Sequence, residues 1–264
     1  MNIKQIAAMD SWDWPEGVHE LLLKILHNPK PDAEELELAV QMAGEYAVIN
    51  DELAEALCKI ALDSDRDEDV RAAAAISFGP AIEICDSDGF DEGMSDAPIS
   101  EAMYKKIHEA LHTIHRDATA SIYVRRRALE ASVRGAQPWH ADAVRAAYAS
   151  DDPKWKLTAL FCMRYVDGFE NEIIASLTDA DADIVHEAVR SAGELALDKA
   201  WKSIAKILAA PPTNRELFLA AIAAAGNYGH ADAMMLLQSL MESEDDEIAD
   251  AANDALISPE ALED

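Results

Sequence analysis

The chain of 264 residues is half hydrophobic and only 6% aromatic, with ten glycines and ten prolines, which excludes a disordered acidic polypeptide and favours helices packed through small side chains. Its net charge of -29 repels polyphosphate and anionic membrane surfaces. Cys58, Cys85 and Cys162 lie far apart and form no Cys-x-x-Cys pair, so neither a disulfide framework nor a thiolate zinc site is indicated.

The first residues lack an apolar core of signal-peptide length, and no stretch approaches the ~20 apolar residues of a membrane span. A soluble, cytoplasmic protein of bacterial type is expected. The charge is uneven. Residues 1–104 hold 6 basic against 24 acidic residues and 207–264 hold 1 against 12, whereas 105–164 hold 11 against 6. The ends are acidic and the waist is mildly basic.

In chain order, 11–26 reads as a helix within an N-terminal cap spanning 1–32, with Trp12 and Trp14 covering the apolar edge of the first repeat. Residues 34–48 form a weak copy of a pattern that recurs at 68–83, 122–137, 153–168, 182–197 and 215–230. Each copy has a large apolar residue, a small one four later, and another apolar or small one four beyond, all on one helix face. The leading residues Val70, Val124, Trp155, Ile184 and Leu217 are 54, 31, 29 and 33 positions apart, the spacing of a helical-hairpin repeat. A second amphipathic run follows each copy, and acidic breaks such as "SDDP" and "TDADAD" supply Asp and Ser to cap the next helix. The long first interval is accounted for by an acidic Gly-rich insertion at 85–98, expected as a mobile loop. A C-terminal cap is expected over 244–264, the whole of 1–264 forming one repeat domain.

The segments "DEDVRAAAAISFG" and "DADIVHEAVRSAG" resemble first helices of HEAT or HEAT-like repeats, of the PBS-lyase type. Asp69, Val70, Arg71, Ala74 and Gly79 match the family pattern position by position, and Val124 with Arg125 match its Val-Arg step. Lys156, Val185 and Phe218 stand where later copies lack the arginine. The resemblance implies an all-α, right-handed α-solenoid of about seven hairpins, whose second helices are expected to line an inner groove.

Four chemical readings compete with a purely structural one. "HEALH" at 108–112 has the His-Glu-x-x-His spacing of zinc peptidases, with His115 one turn on. However, the histidines are expected at the edge of a buried stripe formed by Met103, Ile107, Leu111 and Ile114, and the downstream carboxylate, Glu130, faces competing arginines. His186–Glu187 is similar to the His-Glu steps of deoxyhypusine hydroxylase, but the equivalent positions in other copies hold no such pair. Asp86, Asp88 and Asp91 could gather a divalent ion weakly, and "DSDRDED" lacks the Gly and Glu of a calcium loop. At the waist, Arg125 reads as the structural arginine of its repeat. Arg126, Arg127, Arg134, Trp139, His140, Arg145 and Lys154 are the candidate partner-binding residues.

The function expected from the sequence is a non-enzymatic scaffold, adaptor or inhibitor that binds a protein or peptide, basic in character, along an acidic surface. No cofactor, metal or membrane is expected, and the acidic flanks disfavour nucleic acid. The alternatives are a metal-dependent hydrolase built on "HEALH", phosphate or nucleic-acid binding at 125–156, and a lyase of the kind assembled from such repeats in pigment-protein maturation.

Overall fold

The computed structural model describes residues 2–90 and 96–257, and among these every regular element is helical. Most of the expected 85–98 insertion is included, and its first four residues, Cys85 to Asp88, are helical and not loop as expected; its residues 91–95 lie outside the described residues, as do 258–264 of the expected C-terminal cap. The chain divides into two compact units, Met1–His140 and Ala141–Asp264.

The first unit begins with α1 (Ile3–Ala7) and α2 (Val18–Leu26), followed by α3 (Ala33–Ala43), α4 (Asp51–Leu62), α5 (Glu68–Ile76), α6 (Gly79–Asp88), α7 (Glu101–Arg116) and α8 (Ile122–Ser132). The division falls at the start of α9 (His140–Tyr148). The second unit continues with α10 (Pro153–Cys162), α11 (Glu170–Ser176), α12 (Ala182–Glu194), α13 (Trp201–Leu208), α14 (Arg215–Gly226), α15 (Ala231–Leu240) and α16 (Asp246–Ile257). Within the first unit α3, α5 and α8 pack in a row, with α4 against α5 and α7 against α8. Within the second, α10, α12, α14 and α16 form the row, with α11, α13 and α15 each packed against the first helix that follows it.

The acidic breaks do what their composition implies. Asp67, Asp152 and Asp181 each accept a hydrogen bond from the backbone amide two residues on, and Ser100, Ser121 and Asn214 from the amide three residues on. Each bond satisfies one amide that the first helical turn cannot pair internally. Arg71 and Arg125 serve the opposite helix ends. Arg71 Nε donates to the carbonyl of Ala61 at 3.1 Å and Arg125 Nε to that of His115 at 2.9 Å, in each case ten residues back at the end of the preceding helix. Both place a cation where the helix dipole is negative and a carbonyl is left over.

Two expectations need correction. The copy at 68–83 is two helices, not one, because α5 stops at Ile76 and α6 restarts with Pro80 in its first turn; proline has no amide to donate and its ring clashes with the carbonyl four residues before it. Trp12 does not cover the first repeat. It sits in a single 3-10 turn, Ser11–Asp13, with 78% of its surface exposed, while Trp14 is partly buried and donates from Nε1 to the carbonyl of Met9.

Small residues set the spacing of the first helices. A Cβ placed on Gly193 of α12 would lie 2.4 Å from Cβ of Ala224 on α14, and one on Gly226 would lie 2.7 Å from the carbonyl oxygen of Ala255 on α16. Gly44 meets Ser77 in the same way in the first unit, at 2.5 Å. Gly193→Ala is therefore expected to cost about 1–3 kcal/mol through overpacking, whereas Gly229→Ala, which meets nothing within 4 Å, should stay within about 0.5 kcal/mol; urea unfolding of the two variants checks the contrast.

Candidate functional site

The histidines of 108–115 and the waist residues before 141 belong to the first unit, and the structure brings most of them into one aromatic cluster between α7, α8 and the 133–140 segment. Tyr104 and His108 are one turn apart on α7, their rings edge to face at 4.6 Å. His112, one turn on, stacks on Trp139 with centroids 4.3 Å apart and planes 15° apart, and His115 reaches the same indole at 5.4 Å. His140 closes the group, edge to face with Trp139 at 4.1 Å and 6.5 Å from His108. Gly135 is what admits Tyr104, since a Cβ there would stand 2.4 Å from the phenol oxygen.

The rings differ in what holds them. Gln137 donates its backbone N–H to His140 Nδ1 at 3.0 Å, which puts the ring proton on Nε2. Nε2–H then donates to Ser132 Oγ at 3.1 Å, and the serine hydroxyl donates to the carbonyl of Leu129. His140 is thus a neutral, fully satisfied core histidine. His108 is the opposite. It is 7% exposed, not partly exposed at the edge of the stripe as expected, and among the described residues neither ring nitrogen has a hydrogen-bond partner. Tyr104 Oη, its neighbour, donates instead to Asp86 Oδ1 at 3.1 Å.

The peptidase-like geometry does not form. Glu109 is on the solvent face of α7, His108 points into the protein and His112 is covered by an indole. Among the described residues no group of three or more His, Cys, Asp or Glu side chains is placed to share a metal ion. Glu187, the carboxylate of the His186–Glu187 step, receives a hydrogen bond from the buried guanidinium of Arg164. That same arginine reaches Glu194 at 3.2 Å and donates from Nε to Ser191 Oγ. Asp91 of the acidic trio falls outside the described residues. Burial pushes the Cys58 thiol up to about 12 and Cys85 up to about 11, far from the range of a reactive thiolate.

The candidate partner-binding arginines have internal carboxylates. Arg126 and Arg127 lie 3.6 Å and 2.8 Å from buried Glu130, and Arg134 lies 2.6 Å from Glu83. In the second unit Arg145 lies 2.6 Å from Asp142 and over the Phe169 ring, and Lys154 is exposed at the start of α10. Sequence reading did not pick out Tyr104, Ser132 and Gly135. The four-residue spacing from Tyr104 to His108 and His112 was the signal available for the first.

The grooves follow the expected row in one unit and depart from it in the other: in the first unit a cavity of about 480 Å³ is lined from α2 and the second helices α4 and α7. In the second unit a cavity of about 510 Å³ is lined from α12, α14 and α16, so this groove runs over first helices, not second ones. A smaller cavity of about 350 Å³ lies between α12, α13, α14 and the 210–214 segment.

With the helices and sites in place, comparison with solved structures becomes informative. The chain is similar to one in the complex of CpcE and CpcF of phycocyanin lyase from Nostoc sp. PCC7120, with a TM-score of 0.59 and 16% identity over 96% of this chain and 94% of that one. The fold is that of HEAT-like repeat proteins. Escherichia coli YibA gives a TM-score of 0.48 at 15% identity over 96% and 94% of the two chains, and human deoxyhypusine hydroxylase 0.40 at 15% over 96% and 87%. No family model and no curated protein matches the sequence.

These findings overturn the expectation that the protein is not an enzyme. That expectation took stacked hairpins to offer a long groove but no natural catalytic pocket. Yet this fold occurs in a phycocyanin lyase, and each unit carries cavities in the size range of small-molecule sites. None of the helices among the described residues is long and apolar enough to cross a membrane.

The buried imidazoles make the first unit acid-sensitive. Burial holds His108 and His115 at about 4 and, together with the neighbouring histidines, His140 at about 3, against an ordinary 6.5. Below pH 6.5 the unfolded chain takes up protons that the folded one refuses, so their contribution is complete above 6.5 and is lost as pH falls toward 4. Each contributes a slope of at most about 1.4 kcal/mol per pH unit. Urea midpoints measured between pH 7 and pH 4.5 should fall accordingly. His108→Leu removes two buried nitrogens that nothing satisfies, so it should raise stability at pH 7 by about 1–2 kcal/mol and make the acid loss shallower.

Proposed function

We propose that this protein is a recognition module that binds a basic segment of a protein partner through its acidic surface. The observation that carries the reading is the state of its cations. In the first unit Lys4, Lys59, Arg66, Lys105 and Lys106 each lie against a carboxylate of the same chain, while residues 1–104 hold 24 acidic side chains against 6 basic ones. Of the six bases within 1–104, Lys4, Lys59 and Arg66 are engaged by internal carboxylates and Arg71 by a backbone carbonyl, which leaves a large excess of carboxylates. In the second unit α16 carries Asp246, Glu247, Asp250 and Asp254 with no basic residue. Such a field attracts cationic segments and speeds their capture.

The proposal concerns recognition alone. The same fold in a phycocyanin lyase makes binding through a repeat surface compatible with a part in catalysis, and in that lyase CpcE and CpcF form a complex with each other, which supports assembly with another protein. The test is fluorescence anisotropy of a labelled Lys/Arg-rich peptide titrated with the full chain. Affinity should fall at least about tenfold between ~0.05 M and ~0.5 M salt, and an acidic peptide of equal length should not bind. Binding that ignores salt, or that treats the two peptides alike, overturns the reading.

A further inference from the structure

The groove over α12, α14 and α16 combines two features that a merely acidic surface lacks. Its floor is made of alanines: Ala223 is exposed and Ala220 and Ala251 are half-exposed, so the floor is apolar and shallow-sided. It exists for the same reason the helices pack closely. Where Gly193 lies against Ala224 and Gly226 against Ala255, no long side chain rises to fill the space above the contact. The rims are polar, with Glu194 on one side and Asp254 on the other.

The two rim carboxylates are in different states. Arg164, buried below, holds Glu194 at 3.2 Å. Arg190, the cation on the rim, is turned toward Glu187 at 3.8 Å. No cation among the described residues pairs with Asp254, which is exposed one turn beyond Asp250 on a helix without basic residues. An apolar floor ending at an unneutralised carboxylate matches one kind of side chain. Lysine and arginine carry a methylene stem that gains by lying on apolar surface and a charged head that must stay with a carboxylate or water.

We propose that this groove is the seat of the basic partner segment, with one lysine or arginine stem lying across Ala220, Ala223 and Ala251 and its cation at Asp254. The inference rests on the proposed recognition of a basic segment and assigns it a place. A purely electrostatic surface would not distinguish one carboxylate from another. This groove does, because Asp254 is the carboxylate at the end of the floor.

The test uses the full-length protein and the same labelled Lys/Arg-rich peptide. Asp254→Asn removes the terminal charge and Ala223→Leu fills the floor at an exposed position. Glu37→Gln, an exposed position on α3 of the first unit, makes the same change in net charge at a residue that does not line the groove. The expected result is a loss of about fivefold for Asp254→Asn and of about tenfold or more for Ala223→Leu, with Glu37→Gln within about twofold. A thermal melt of each variant establishes that it is folded, and Asp254→Asn, a near-isosteric change at an exposed site, serves if Ala223→Leu is not. Equal small losses for Asp254→Asn and Glu37→Gln, with wild-type binding still sensitive to salt, overturn the groove and leave the acidic-surface reading standing. Absence of salt-sensitive binding in the wild type overturns the acidic-surface reading itself.

Discussion

The first helices of this protein lie side by side at a separation that only glycine, alanine and serine permit. Gly193 against Ala224, Gly226 against Ala255 and Gly44 against Ser77 are backbone-to-backbone approaches in which an added methyl has no room. Close approach buries much backbone and little side chain, so the large apolar residues are displaced to the interface with the second helices, where Leu53, Leu57, Ile107 and Leu111 are fully covered in the first unit. Dispersion contacts accumulate there atom by atom. The alanine-rich composition is thus a packing rule and not merely a helix preference.

The repeat was legible in the sequence because helix hairpins announce themselves twice, by apolar period and by the residues that end each helix. Asp67, Asp152 and Asp181 lie in the acidic breaks and cap the helices that follow, and Arg71 and Arg125 occupy the family positions and close the preceding helix ends. The break at Pro80 was written in the chain but overruled in the reading by the continuing apolar pattern. Which row of helices borders a groove was not legible. Periodicity fixes which face of a helix is apolar and says nothing of how tightly neighbouring rows can draw together.

The site chemistry shows the same division. Spacing placed His108 and His112 on adjacent turns, and that is correct, but it could not reveal that the indole of Trp139 takes one ring and the interior takes the other. A motif defined along one helix is silent about the elements that fold over it. Arg134 Nη1 and Glu83 illustrate the converse: 51 residues separate them and they lie 2.6 Å apart, a pairing that no local pattern encodes. A pocket is hidden in the same way, since it is produced by neighbouring hairpins and not by any one of them.

The guanidinium contacts of Arg71 and Arg125 close loops of only ten residues, whereas Arg215 reaches across 30 residues to Asp245. Short loops cost little chain entropy to form. A hairpin sealed in that way can organise before its neighbours exist, while the ties near the C-terminus become available only after another hairpin has arrived. On a ribosome, those two helix junctions can therefore close as they emerge, whereas ties such as Arg134 to Glu83 in the first unit and Arg215 to Asp245 in the second must wait for later helices.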